Sequence, residues 1–206
     1  CEWYSDRRRW HCWRSLGASV MGVFHATVSN ISSSTTEMDK DDWNAGHVGE
    51  NGNAPPYAVS QSAVAASCDA STDENVLATI TIPAGMLGAN GLIRIGAAWS
   101  WTASANNKTF RYRLGGLGGT VLRAPTFTTT TGIADVCIFA NVNSQSSQKG
   151  LLPQGVQSPY GNSSSGFATA AIDTSVATTI VITGQKASAG ETLTLEGYIC
   201  ELFNGV

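Results

Sequence analysis

Charge is the scarcest ingredient of this 206-residue chain, in which Asp, Glu, Lys and Arg together make up 13%, about half the share usual for a globular protein. Hydrophobic residues still account for 42%, so the scarcity does not signal charge-driven disorder. With a formal net charge of -3 and a pI near 5.5, the molecule has no field with which to grip a phosphate backbone, and nucleic acid is excluded as its main partner. Long apolar runs are also missing. Nothing approaches the ~18 unbroken apolar residues of a membrane helix, so no membrane partner is expected. The five cysteines, Cys1, Cys12, Cys68, Cys137 and Cys200, contain no close pair, which excludes a zinc ribbon and a CxxC redox motif.

Catalytic patterns are absent as well. The segment GNSSSG at residues 161–166 has the wrong spacing for a nucleophile elbow. Gly115, Gly116, Gly118 and Gly119 do not form GxGxxG, and a strand pattern follows them where a phosphate site needs a helix. His11, His25 and His47 have no partner at metal-ligand spacing. A glycosidase would ask only for two nearby carboxylates, and the clusters Asp73 with Glu74, and Asp39 with Asp41 and Asp42, supply the type. Both lie in polar, turn-like segments where solvated acids are the ordinary reading, so a glycan hydrolase ranks last. The expectation is a protein that is not an enzyme, with no metal and no cofactor.

What the chain has is 22 Gly, with Ser and Thr at about a fifth of all positions, a composition of short strands joined by tight turns. Strand signals recur at residues 76–82, 92–101, 108–114, 120–129, 133–142, 149–157, 167–172, 176–183 and 192–202. In residues 108–114, Phe110, Tyr112 and Leu114 point one way while Thr109, Arg111 and Arg113 point the other. In the last strand Leu193, Leu195, Gly197, Ile199 and Glu201 share one face, opposite Thr192, Thr194, Glu196, Tyr198 and Cys200. Helix periodicity never lasts beyond a turn or two, and only residues 39–45 and 86–87 suggest a short helix. The spacing predicts an all-β, antiparallel β-sandwich. Cys137 and Cys200 fall inside apolar strands and read as reduced core residues.

Residues 1–57 form a different zone, ending in the turn-rich NGNAPPY. Arg7, Arg8, Arg9 and Arg14 against Glu2 and Asp6 leave the first fourteen residues at +2, so the remainder sums to -5. The same stretch holds Trp3, Trp10 and Trp13. Arg14 and the three tryptophans are misplaced for a secretory signal, and a loose leader is the plain alternative to a binding arm. The boundary predicted is an attachment arm and linker over 1–57, followed by a head domain over 58–206.

Three stretches carry a resemblance. Residues 76–116, VLATITIPAGMLGANGLIRIGAAWSWTASANNKTFRYRLGG, together with the closing VATTIVITGQKASAGETLTLEGYICEL, resemble the tumour-necrosis-factor-like jelly-roll heads of bacteriophage structural proteins. HATVSNISSSTTEMDKDDWNAGHVG is similar to a linker that precedes distal modules of phage tail fibres. The resemblance implies a homotrimer on the surface of a virion, either a structural fibre or capsid decoration protein, or a tail-fibre-type protein that recognises a host-surface glycan. In this reading the extended N-terminal arm fastens to capsid or tail proteins. Trp3, Trp10, Trp13 and Trp43 are its buried anchors, and Arg7, Arg8 and Arg9 pair with acidic patches. The final strand is the candidate face between copies. For receptor contact, Trp99 and Trp101 project from the same side of one strand and would form a stacking platform, or else belong to the core or trimer interface. The neighbouring loop with Asn106 and Asn107 is the preferred exposed contact.

Overall fold

The computed structural model describes residues 24–25, 47–48, 56–158 and 164–205. The chain divides into two compact units, Cys1–Pro55 and Pro56–Val206. In the first, β1 (Phe24–His25) pairs antiparallel with β2 (His47–Val48). The second unit is β3 (Tyr57–Ser62), β4 (Ala66–Ser67), β5 (Asn75–Ile82), β6 (Leu92–Trp101), β7 (Lys108–Leu114), β8 (Thr120–Arg123), β9 (Thr126–Phe127), β10 (Gly132–Asn141), β11 (Gln148–Pro153), β12 (Phe167–Ala170), β13 (Thr178–Lys186) and β14 (Leu193–Phe203). No helix occurs among the described residues.

The strands form two antiparallel sheets, as the spacing of strand signals predicts. One has seven strands in the order β12-β11-β10-β6-β14-β3, with β4 also on β14; the other has five in the order β5-β13-β7-β8, with β9 also on β7. The chain crosses between sheets from β4 to β5, β5 to β6, β6 to β7, β9 to β10, β12 to β13 and β13 to β14, and with β14 beside β6 in one sheet and β13 between β5 and β7 in the other the sandwich is a jelly roll. Alternation explains the layering. In β7 every second residue, Lys108, Phe110, Tyr112 and Leu114, is buried between the sheets. Ile93, Ile95, Ala97, Trp99 and Trp101 of β6 face them from the other sheet. Trp99 stacks on Phe110 with ring centroids 4.3 Å apart, and Phe127 stacks on the same Phe110 at 5.5 Å. Cys137 and Cys200 lie in this core as free thiols.

Several expectations require correction. The run expected at 120–129 is two short strands, β8 and β9. Pro125 has no N–H for a ladder, so the strand is interrupted there although both pieces keep one register on β7, and Ala124 N–H donates to the Gln154 carbonyl at 2.8 Å. Residues 86–87 form a turn and not a helix, though Leu87 is fully buried. The stretch before residue 76 also contributes strands, since β3 pairs along β14. The last strand does not keep one face. Leu195 pairs with Trp99 and Gly197 with Ala98, so Glu196 is an extra residue that shifts the alternation. Leu193 and Leu195 are core on one side of this bulge, and Cys200 and Leu202 on the other. Ile199 and Glu201 accordingly leave the face shared by Leu193 and Leu195.

A second bulge places charge inside. Tyr112 pairs with Arg123 and Arg113 with Val121, so Leu122 is the extra residue and both Leu122 and Arg123 turn inward. Arg123 and Asp135 are buried, joined by Nη2 to Oδ1 at 2.6 Å and by Nε to Oδ2 at 3.0 Å. Arg123 also donates to the carbonyls of Pro153 at 3.2 Å and Val156 at 3.0 Å. The pair thus ties β8 of one sheet to β10 of the other and fixes the segment after β11.

Candidate functional site

Trp3, Arg7, Arg8, Arg9, Trp10, Trp13 and Trp43 lie outside the described residues. Trp99 and Trp101 are 3% and 4% exposed, with their rings packed against Phe110 and Phe127, so they present no open platform to a sugar. They belong to the core of the sandwich. The loop with Asn106 and Asn107, by contrast, is exposed at one end of the head.

That end is organised from beneath by buried charge. Lys108 is fully buried; its Nζ lies 2.9 Å from Glu191 Oε2 and donates to Ser104 Oγ at 2.5 Å. Asn106 Nδ2 donates to Glu191 Oε1 at 2.8 Å. The Ser104 hydroxyl, the Lys108 ammonium and the Asn106 amide together hold the Glu191 carboxyl down at about 2. Lys186 pairs with Lys108 across β13 and β7 and donates to the carbonyls of Ala189 and Glu191 at 3.1 and 2.6 Å. Beside these groups is an open polar cleft of about 370 Å³ lined by Thr72, Asn107, Thr109, Gln185, Lys186 and Ala187. Its lining offers amides and hydroxyls for hydrogen bonding and holds neither an acid pair nor a nucleophile with a base.

The opposite end is tied by amides. Gln148 Nε2 donates to Asn141 Oδ1 and to the Ile172 carbonyl, both at 2.9 Å, while Gln148 Oε1 accepts from Ile172 N–H at 2.9 Å. Asn141 Nδ2 donates to the Gly88 carbonyl at 2.6 Å and to Thr174 Oγ1 at 2.9 Å. Asn141, Gln148 and Thr174 are all buried. Satisfied in this way, the three side chains hold neighbouring loops together.

Across the outer face of the five-stranded sheet, Glu74 collects cations. Arg113 donates Nε and Nη2 to its two oxygens, both at 2.7 Å, Arg111 Nη1 is 3.4 Å away, and Thr183 donates its hydroxyl at 2.5 Å. The bidentate Arg113 bond, then the Thr183 hydroxyl, hold the Glu74 carboxyl below its ordinary range. With Arg94 on Glu201, Arg123 on Asp135 and Lys108 on Glu191, every Lys and Arg among the described residues except Lys149 is held by a carboxylate or by backbone carbonyls.

The outer face of the seven-stranded sheet is different in kind. β10 turns Ala134, Val136, Ile138 and Ala140 outward, and their neighbours on β6 are Ala98, Gly96, Arg94 and Leu92. β14 adds Ile199 opposite Gly96 and Glu201 opposite Arg94. Ile199 is 39% exposed, and at the β11–β12 flank Leu151 and Phe167 are 41% and 52% exposed. Along the middle of this face Arg94 and Glu201 neutralise each other at 2.6 Å, and Glu196 accepts from Ser100 toward one end. The result is a broad surface of small and aliphatic side chains. The alternation in residues 133–142 carried this signal, because Val136 and Ile138 interleave with core residues and leave that strand apolar on both sides.

No family model and no curated protein matches the chain. Among solved structures, it is similar to the CBM2 module of the evolved Dit of Lactobacillus casei BL23 phage J-1, at 13% identity over 62% of this chain and 69% of that chain, with a TM-score of 0.32. It is also similar to a chain of the infectious bursal disease virus Gx strain, at 10% identity over 83% of this chain and 45% of that one, with a TM-score of 0.22.

Proposed function

We propose that this chain is a non-enzymatic structural component of a phage virion: a homotrimeric surface fibre or decoration protein, with a jelly-roll head and a particle-binding arm over residues 1–57. The observation that carries the reading is the outer face of β10, β6 and β14. Ala134, Val136, Ile138, Gly96, Ala98 and Ile199 give a surface that water solvates poorly and that copies of the head can cover. Attachment is assigned to Trp3, Trp10, Trp13 and Trp43 as anchors, and to Arg7, Arg8 and Arg9 as partners for acidic groups on capsid or tail proteins.

Light scattering on the full chain tests this. The expected mass is three chains or a multiple of three, and I138K, which sets three ammonium groups into the covered face, should dissociate the assembly while circular dichroism keeps its β signature. A wild-type protein that stays a single chain at high concentration overturns the reading.

A second reading, a tip that recognises a host-surface glycan, draws on the polar cleft beside exposed Asn107. It predicts that the purified protein blocks adsorption to host cells and that N107A loses the effect. Unimpaired infection in the presence of excess protein would reject it.

A further inference from the structure

Each sheet has two edges, and three of these edges carry features that discourage a further strand. β12 has four residues and meets β11 with a shifted register. The β8–β9 edge is broken at Pro125. β3 is kinked where Val59 is the extra residue between Ser60, paired with Cys200, and Ala58, paired with Glu201. β5 carries only one such device, a register shift near its start. It has eight residues, NVLATITI, with no charge and no proline. Its single register shift lies at Leu77, which leaves Ala78 to Ile82 regular. β13 occupies one side of it, and among the described residues no strand occupies the other. An uncharged, straight edge with open N–H and C=O groups is a template for another strand.

We propose that the free edge of β5 pairs antiparallel with the same edge of a second copy, about a two-fold axis at Ile80. Such an axis sets each residue against a symmetry mate, so a charge near the axis would face its own sign; β5 has none. The register places Thr79 against Thr81 twice and Ala78 against Ile82 twice. Parity then works in both copies at once. Ile80 and Ile82, each 1% exposed, stay on the core side, and the exposed Thr79 and Thr81 meet on the other.

Hydroxyl pairs already join segments of this chain. Ser67 meets Thr194 at 2.8 Å, Thr109 meets Thr126 at 2.7 Å, and Thr102 meets Thr192 at 2.9 Å. Thr81 itself stands opposite Thr179 in the ladder to β13. The self-pair extends the same device across the copy boundary and fuses two five-stranded sheets into one. It uses the sheet opposite the proposed trimer face, so it links trimers where these form and single chains where they do not.

The test uses the full chain with T79C and T81C as single variants. Under mild oxidation, an equal mixture should give a cross-linked species whose tryptic peptides join position 79 of one copy to position 81 of another. Either variant alone should give no such link, because the axis does not bring position 79 to position 79. In sedimentation velocity, T79K/T81K, with both changes at exposed positions, should halve the mass of the largest species, hexamer to trimer or dimer to monomer. Those two starting points separate failure of the trimer reading from failure of this one. An unchanged mass in T79K/T81K overturns the proposal. So does a halved mass without the 79–81 link in the mixture, since another strand would then be the occupant.

Discussion

Asp135→Ala removes the one carboxylate that neutralises Arg123. The two side chains are 0% and 1% exposed, so water cannot enter to solvate the guanidinium left behind. Three contacts disappear, at 3.2, 3.0 and 2.6 Å, while the carbonyls of Pro153 and Val156 still hold the cation in place. Breaking a buried pair in this way costs about 3–5 kcal/mol, because an uncompensated charge remains in a medium of low polarity. For a head of this size the loss corresponds to a drop in Tm of roughly 6–20 °C. Urea unfolding followed by tryptophan fluorescence reads it directly, since Trp99 Nε1 lies 3.4 Å from Tyr112 OH, which is beside Asp135. Arg123→Met combined with Asp135→Leu removes both charges and should recover most of the stability, since apolar replacement of a buried pair is often neutral. The reasoning is refuted if Asp135→Ala costs under about 1 kcal/mol, or if the double variant is as unstable as the two single losses added together.

Two further predictions concern ionisable groups. Glu191 has its carboxyl held at about 2 against an ordinary 4.5, so its contribution is complete above about 4.5 and is lost as pH falls toward 2. Protection of the amides of residues 102–107, measured against their intrinsic exchange rate at each pH, should therefore fall in acid in the wild type, and E191Q should show that lower protection already at neutral pH; equal protection in both proteins at neutral pH would count against the tie. Burial pushes the Cys200 thiol up to about 12 and that of Cys137 higher still. Alkylation at pH 8 mapped by mass spectrometry should leave both unmodified until denaturant is added, and labelling of either in the native protein would contradict their placement in the core.

The alternation of apolar residues along the chain is enough to make the layering legible. Phe110, Tyr112 and Leu114 are core as their parity requires, and the same parity carries Lys108 inward with them. Asp135 likewise shares the stripe of Cys137 and Phe139. Their partners were not legible, because Glu191 and Arg123 reach them from segments distant in sequence. Arg123 escaped for a further reason: its strand is bulged at Leu122, and an inserted residue exchanges the two faces with no mark in composition. Glu196 hid the same exchange in β14. The two tryptophans show the limit of side-chain type as a guide, since same-side spacing fits a sugar platform and a sandwich interior equally, and only the stacking on Phe110 and Phe127 decides. The broad aliphatic face was visible only in part, as an apolar strand interleaved on both sides, because its other members come from β6 and β14.

The surplus residue at Glu196 has a consequence for how this domain can vary over generations. Its side chain does no more than accept a hydrogen bond from Ser100 at the surface, so many amino acids could stand there. Its place in the count is another matter, since losing a single codon would send Cys200 and Leu202 outward and drive Glu201 toward the interior. Descendants of this gene should therefore spell position 196 freely but neither skip it nor double it, and alignments of related chains should run through it without a gap.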